Sequence, residues 1–98
     1  MTQKQAVAWF VYKDENQYNE FLSVFTDARK LPSTFAGWER QAEHGIQHLE
    51  KNGVVVIRVH AETTGEFIAW CLANDRGIDA SGRKGFAFFK AAEHLGNR

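Results

Sequence analysis

Two stretches of the chain have the hydrophobic pattern of β-strands. Residues 54–60 are rich in β-branched side chains and follow an Asn-Gly turn signal, and residues 6–12 form the second run of this kind. Because successive side chains of a strand point to opposite faces, one face of the later run is wholly apolar and the other ends with Arg58 and His60. The pattern predicts two strands that lie far apart in sequence and pair in one small sheet.

Apolar residues at helical spacing mark four segments outside these strands. The first stripe comprises Tyr18, Phe21, Leu22 and Phe25, which recur at i, i+3, i+4 and i+7. Candidate N-cap residues precede the four segments at Asp14, at Ser33 or Thr34, at Thr63, and at Asp79 or Ser81. The predicted order is therefore β-α-α-β-α-α, an α+β fold in which four helices pack a small sheet within one domain, residues 1–98.

Composition and charge narrow the class of protein. With 98 residues and a hydrophobic fraction of 44%, the chain has the size of one globular domain with one core. Twelve basic residues balance twelve acidic ones, which disfavours binding of nucleic acid through overall charge. Cys71 is the sole cysteine, and the sequence shows neither a signal peptide nor the ~20 apolar residues of a membrane span. We expect a cytoplasmic protein with no membrane segment.

The chain is rich in aromatic side chains for its length. Three Trp, two Tyr and eight Phe are present, and we expect most of the core to be formed by Trp9, Trp38, Trp70, Phe21, Phe25, Phe35 and Phe67. The remaining rings of Phe10, Tyr12 and Phe86 are predicted to be exposed, and exposed aromatic surface marks sites of association. This surplus favours a small binding, interaction or regulatory protein over an enzyme.

The small size of the sheet indicates how association could occur. Two strands alone are marginally stable in water, and the first run has few polar positions that would protect an open edge. Either a third strand is hidden in the chain or two copies pair their edges, and spare aromatic residues of the helices offer another contact surface. We expect a homodimer, and a different protein partner is an alternative.

Arg58 and His60 are the best candidates for contact with a ligand, since they stand at the polar end of a predicted strand. Arginine can pair with a carboxylate or phosphate, and histidine can exchange protons near neutral pH. Together with Phe10, Tyr12 and Phe86 they form the predicted recognition surface. An alternative function is therefore a small-molecule-binding protein or small enzyme with a pocket near Arg58 and His60, although the sequence contains no catalytic motif.

A second alternative function rests on the C-terminal segment, where basic residues outnumber acidic ones. Its candidate contacts with nucleic acid are Arg76, Arg83, Lys84 and Lys90. Residues 84–90, Lys-Gly-Phe-Ala-Phe-Phe-Lys, resemble the RNP1 box of RNA-recognition motifs, and this resemblance implies a strand whose aromatic residues stack on unpaired bases. Helical spacing favours instead a C-terminal helix with Phe88 and Phe89 in the core and Phe86 on its edge.

No metal and no cofactor is expected. His44 and His48 stand four residues apart, a spacing that lets a helix hold a metal ion from one side. The zinc-protease pattern requires a Glu directly after the first His, and Gly45 occupies that position. Both imidazoles are predicted to lie on a polar helix face beside positive charge, which disfavours a cation there.

Overall fold

Residues 5–96 are described by a computed structural model of the chain, with side chains described through His94. The elements follow the order β1 (Ala6–Phe10), α1 (Glu15–Leu22), a short 3₁₀ helix (Ala28–Lys30), α2 (Phe35–Lys51), β2 (Val55–Val59), α3 (Thr64–Ala73) and α4 (Ala80–Gly96). This order confirms the predicted α+β class and the β-α-α-β-α-α arrangement. Each strand is two residues shorter than predicted.

The two strands pair in parallel and form a two-stranded sheet. Ala6 lies opposite Val55 and Phe10 lies opposite Val59, so the register is constant along the pair. Parallel neighbours require a connection that returns the chain to the starting end of the sheet, and α1 and α2 supply it. The expected pairing between distant runs is confirmed.

Helices cover both faces of this sheet, as is usual for parallel strands. Trp9 points to the face under α2, where its indole lies against Gly45. Phe10 points to the opposite face, where its ring centroid lies 5.8 Å from that of Phe86 in α4. The sheet therefore lies between α2 and α4.

A cluster of aromatic rings fills the space between the sheet and the surrounding helices. Its buried members are Phe10, Tyr12, Tyr18, Phe21, Phe25, Phe67 and Phe86. The ring of Phe67 is central, since its centroid lies 5.3 Å from that of Phe10 and 5.5 Å from that of Phe86, both edge to face. Each such pair stabilises the fold by about 0.5–1.5 kcal/mol beyond the burial of its area. The expected burial of Phe21, Phe25 and Phe67 is confirmed.

Side-chain caps begin three of the helices at predicted positions. Asp14, Thr34 and Thr63 each accept a hydrogen bond from a backbone N–H group in the first turn of α1, α2 and α3, respectively. The buried side chain of Gln17 then links α1 to the chain after β2, since its Nε2 donates to the Ala61 carbonyl at 2.9 Å. The caps are local contacts, whereas the Gln17 hydrogen bond joins two segments 44 residues apart.

The segment 84–90 lies in α4, so the helical interpretation is confirmed over the strand of an RNP1 box. The predicted orientation of this helix is wrong, because Phe86 is buried whereas Phe88 is 72% and Phe89 is 42% exposed. Small residues mark the inner face, where Ala87 is fully buried. A helix with small residues on this face can approach β1 closely, and the two large rings then project outward.

The predicted exposure of Phe10 and Tyr12 is also wrong, since both rings are buried. The face of β1 to which Phe10 points is covered by α4. The ring of Tyr12 is enclosed by α1 and α2, with its centroid 4.9 Å from that of Tyr18 and 4.8 Å from that of Trp38. The three tryptophans and Phe35, expected in the core, are only partly buried. An aromatic surplus therefore exists, but its most exposed rings lie on α4.

Candidate functional site

The edge of β1 that faces away from β2 carries backbone groups with no strand partner in the described part of the chain. The Val11 N–H donates to the Val59 carbonyl at 2.8 Å, so the odd-numbered residues of this strand direct their N–H and C=O groups to β2. The even-numbered residues Ala6, Ala8 and Phe10 direct theirs outward. A strand edge of this kind can accept another strand.

An open groove of about 550 Å³ runs along this edge. Its floor contains Val7 to Phe10 and Tyr12, one wall contains Trp38 and Leu49 of α2, and the other contains Ala80, Arg83, Lys84 and Ala87 of α4. The groove contacts Trp9, which points to the face under α2, and also Phe10, which points to the face under α4. A cavity that contacts both lies beside the strand and not over one face of the sheet.

The two cations on the α4 wall differ in their surroundings. Arg83 donates to both carboxylate oxygens of Asp27 and lies 4.5 Å from the centre of the Phe25 ring, so its charge is already compensated. The hydrogen bonds from Arg83 hold the pKa of Asp27 below its ordinary value. Lys84 is exposed.

The groove also contacts the phenol of Tyr12. Burial raises the pKa of Tyr12, so its phenol stays protonated. The groove therefore offers apolar contact and backbone hydrogen bonds rather than acid–base chemistry.

The five predicted recognition residues are dispersed over the structure. Phe10 and Tyr12 line the groove, whereas Phe86 lies in the core. Arg58 and Tyr12 border a separate crevice of about 190 Å³ on the face under α2. His60 lines neither concavity and is exposed, with Nε2 3.8 Å from a carboxylate oxygen of the glutamate two residues later. Exposed ion pairs contribute about 0–1 kcal/mol to the stability of a fold.

A third concavity, of about 500 Å³, lies on the outer side of α3 and α4. Its border includes the rings of Trp70, Phe88 and Phe89 and the cations Arg76 and Lys84, which together are named here the aromatic–cationic surface. Two of the four predicted nucleic-acid contacts therefore lie beside exposed rings. The sequence does not predict these rings at the surface because large apolar side chains usually face the core. Only the small residue beside them, Ala87, which occupies the inner face of α4, indicates otherwise.

The other two predicted contacts, Arg83 and Lys90, are engaged in ion pairs. The Lys90 Nζ lies 3.0 Å from Glu66 Oε2 and 3.7 Å from Glu93 Oε1, and the hydrogen bond with Glu66 raises the pKa of Lys90. Burial alone would raise the pKa of Glu66, but hydrogen bonds from the Glu62 N–H and from Lys90 lower it. These contacts join α3 to α4 and leave little charge for a ligand.

The thiol and the paired imidazoles singled out by the sequence lie apart from all three concavities. Cys71 is fully buried, and burial raises the pKa of its thiol. His44 and His48 lie on the exposed side of α2. Among residues 5–96, no group of three or more His, Cys, Asp or Glu side chains is placed to hold a metal ion. Over the same range, every helix is too short or too polar to cross a membrane.

Comparisons of the chain with models of protein families, with curated proteins and with solved structures found no match. The class of protein is therefore defined by the fold and its surfaces: a small α+β protein with an open strand edge, a groove along that edge, and an aromatic–cationic surface on α3 and α4 that shares Lys84 with the wall of the groove.

Proposed function

We propose that this protein is a small cytoplasmic binding protein, with an interaction or regulatory role and no evident catalytic centre, that acts as a homodimer. The two copies join along the free edge of β1. The observation that carries this proposal is the row of outward backbone groups at Ala6, Ala8 and Phe10 beside an open groove. The single cysteine, Cys71, is buried and forms no disulfide, which is compatible with a cytoplasmic location.

A strand is the occupant that fits this edge best. Outward N–H and C=O groups recur along β1, and another extended backbone places matching groups at the same spacing. When two β1 strands run antiparallel, each copy uses the same residues, as twofold symmetry requires. The result is a four-stranded sheet in the order β2-β1-β1-β2.

The side chains of β1 support the same mode of association. The segment Ala6–Phe10 contains no charged residue and no proline, the usual means by which strand edges avoid pairing. Val7 is 36% exposed and lines the groove, so a partner strand would remove apolar surface from water. A sheet of two strands is marginally stable by itself, and association would double the number of strands.

Sedimentation velocity of a Val7→Lys variant tests this proposal. Lysine at this position places a charge at the paired edge of each copy, so we expect a dimer for the wild type at tens of micromolar and a monomer for the variant. Val55→Lys is the matched control, because Val55 is 44% exposed but lies on β2 and does not line the groove. This control should remain dimeric. A wild type that stays monomeric at tens of micromolar would exclude the proposal.

Proline substitutions test the backbone contribution separately. Ala8→Pro removes an outward N–H from β1, whereas Val56→Pro removes an outward N–H from the opposite edge of the sheet, and neither group joins the two strands. We expect only Ala8→Pro to abolish the dimer, with circular dichroism confirming that both variants fold. A dimer that persists in folded Ala8→Pro would contradict pairing at this edge and favour a contact through exposed rings such as Phe88.

A further inference from the structure

The aromatic–cationic surface combines large rings in water with positive charge. Phe88 and Phe89 are both exposed on α4. Trp70 of α3 lies beside them, with its ring centroid 5.8 Å from that of Phe89. Arg76 and Lys84 border the same concavity. Exposed rings of this size leave apolar area in contact with water, which marks a site of binding.

Gly85 shapes this concavity. A Cβ atom at position 85 would lie 2.8 Å from Cη2 of Trp70 and 2.9 Å from Cζ of Arg76, closer than ordinary contacts. The lack of a side chain therefore lets the indole and the guanidinium lie side by side against the backbone of α4. Arg76 is held there because its Nη1 donates to the Ser81 carbonyl at 3.2 Å. The fold thus positions a ring and a charge next to each other.

We propose that this surface binds single-stranded nucleic acid. Exposed flat rings stack on unpaired bases, and neighbouring cations pair with phosphates. That ligand uses both kinds of group, and Arg76 and Lys84 supply the charge because Arg83 and Lys90 are already paired with carboxylates. With two cations at the site and no net charge on the chain, the contact is weak and independent of base sequence.

Other occupants use this surface less completely. An acidic peptide would pair with the cations but would leave Phe88 and Phe89 without flat partners. A second copy docked about a twofold axis would bring Arg76 and Lys84 towards their own counterparts, and like charges repel. A nucleic-acid duplex keeps its bases stacked inside, so the exposed rings could not reach them.

Fluorescence anisotropy of a labelled oligothymidylate, with the full-length protein, tests the proposal. We expect a dissociation constant of about 10–100 µM at low salt and much weaker binding of a duplex of equal length. With two phosphates contacted, log K should fall with log salt at a slope of about −1.4, so a fourfold rise in salt weakens binding about sevenfold. No binding at about 0.5 mM protein, or binding that is insensitive to salt, would overturn the proposal.

Phe88→Ala tests the contribution of stacking. Loss of one stacked base should weaken binding at least about fivefold. Leu72→Ala is the matched control, because Leu72 is 73% exposed, like Phe88, but does not border the concavity. This control should bind as the wild type does. Equal losses in the two variants would indicate unspecific apolar adsorption and would also overturn the proposal.

Arg76→Gln tests the contribution of phosphate pairing. We expect the salt slope to become shallower by about 0.7, whereas Lys30→Gln, an exposed cation outside this concavity, should leave it unchanged. Sedimentation separates this site from the dimer, since Phe88→Ala should remain dimeric. If Phe88→Ala is monomeric and the wild type does not bind oligothymidylate, the surface is a protein contact and the nucleic-acid proposal fails.

Discussion

Arg83 and Asp27 are joined by two parallel hydrogen bonds, from Nη1 to Oδ1 at 3.0 Å and from Nη2 to Oδ2 at 2.8 Å. Their side chains are only 13% and 15% exposed, and the guanidinium also lies over the ring of Phe25. The pair fixes the segment after α1 to α4, next to the groove along β1. Removal of one partner from a bidentate pair in this setting costs more stability than removal of one partner from an exposed ion pair, because the remaining charge stays largely buried.

Replacement of Asp27 by Asn should destabilise the fold by about 2–3 kcal/mol, because it leaves a largely buried guanidinium without its counter-charge. Urea unfolding followed by circular dichroism measures the loss. Glu39→Gln, which neutralises an exposed carboxylate of α2, is the control and should change the free energy of unfolding by less than about 0.5 kcal/mol. Similar small changes in both variants would contradict the role of the pair.

As the pH falls, the free energy of unfolding of the wild type should decrease more steeply than that of the Asp27→Asn variant. Hydrogen bonds from Arg83 hold the pKa of Asp27 in the folded protein below the ordinary value of 3.8. A carboxyl group with a lowered folded pKa stabilises the fold fully above its unfolded pKa, and this stabilisation is lost as the pH falls through the folded pKa. Unfolding free energies measured from about pH 6 to about pH 2 test this, and parallel curves for the two proteins would be the contrary result.

Gly82 is required where α3 and α4 approach each other. A Cβ atom at this position would meet the Gly77 carbonyl oxygen and lie 2.6 Å from Cys71 Sγ. Gly82→Ala should therefore destabilise the protein by about 1–3 kcal/mol through overpacking. Gly65→Ala is the contrasting control, since a Cβ in the first turn of α3 meets nothing closer than 3.7 Å, and it should stabilise by about 0.5–1 kcal/mol. Thermal unfolding of the two variants measures both effects. A Gly82→Ala variant more stable than the wild type would contradict this packing.

The start of α3 depends on Thr63, whose Oγ1 accepts the Glu66 N–H at 3.0 Å. The Glu66 Oε1 in turn accepts the Glu62 N–H at 2.7 Å. Thr63→Ala should lower the free energy of unfolding by about 1 kcal/mol, because one backbone donor loses its partner. Thr63→Ser keeps the oxygen and should stay within about 0.5 kcal/mol of the wild type. Equal losses for Ala and Ser in urea unfolding would show that the methyl group and not the cap matters.

Those features of the fold that depend on local sequence could be predicted. Asp14 and Thr63 cap helices because a short side chain with an oxygen reaches the N–H groups of the next turn, and this needs no knowledge of distant residues. The β-branched run that ends before His60 likewise forms a strand in almost any context where one face is covered. Element order and fold class follow from such signals, and both are confirmed.

The faces and surfaces of the fold could not be predicted, because they depend on close approach between distant elements. The orientation of α4 is decided by Gly82 and Ala87, small side chains that carry little weight in a hydrophobic pattern. The compensation of Arg83 by Asp27 joins residues 56 positions apart. The apolar composition of β1 predicts an unprotected edge. The groove along that edge also depends on parallel pairing of the strands and on the placement of α2 and α4, which no spacing in the sequence indicates.

Cys71 should be unreactive in the folded protein although it is the sole thiol. Its side chain is fully buried, and burial raises the pKa of the thiol, so both the access of a reagent and the fraction of thiolate are low. We expect labelling by a thiol-specific disulfide reagent to proceed only as fast as the protein opens, and to be complete in guanidinium chloride.

A Leu72→Cys substitution in a Cys71→Ala background gives the matched control, since the neighbouring position is exposed and should react at once. Native Cys71 that reacts as fast as this control would show that α3 and α4 separate readily, and the aromatic–cationic surface that bridges them would then not be a fixed site.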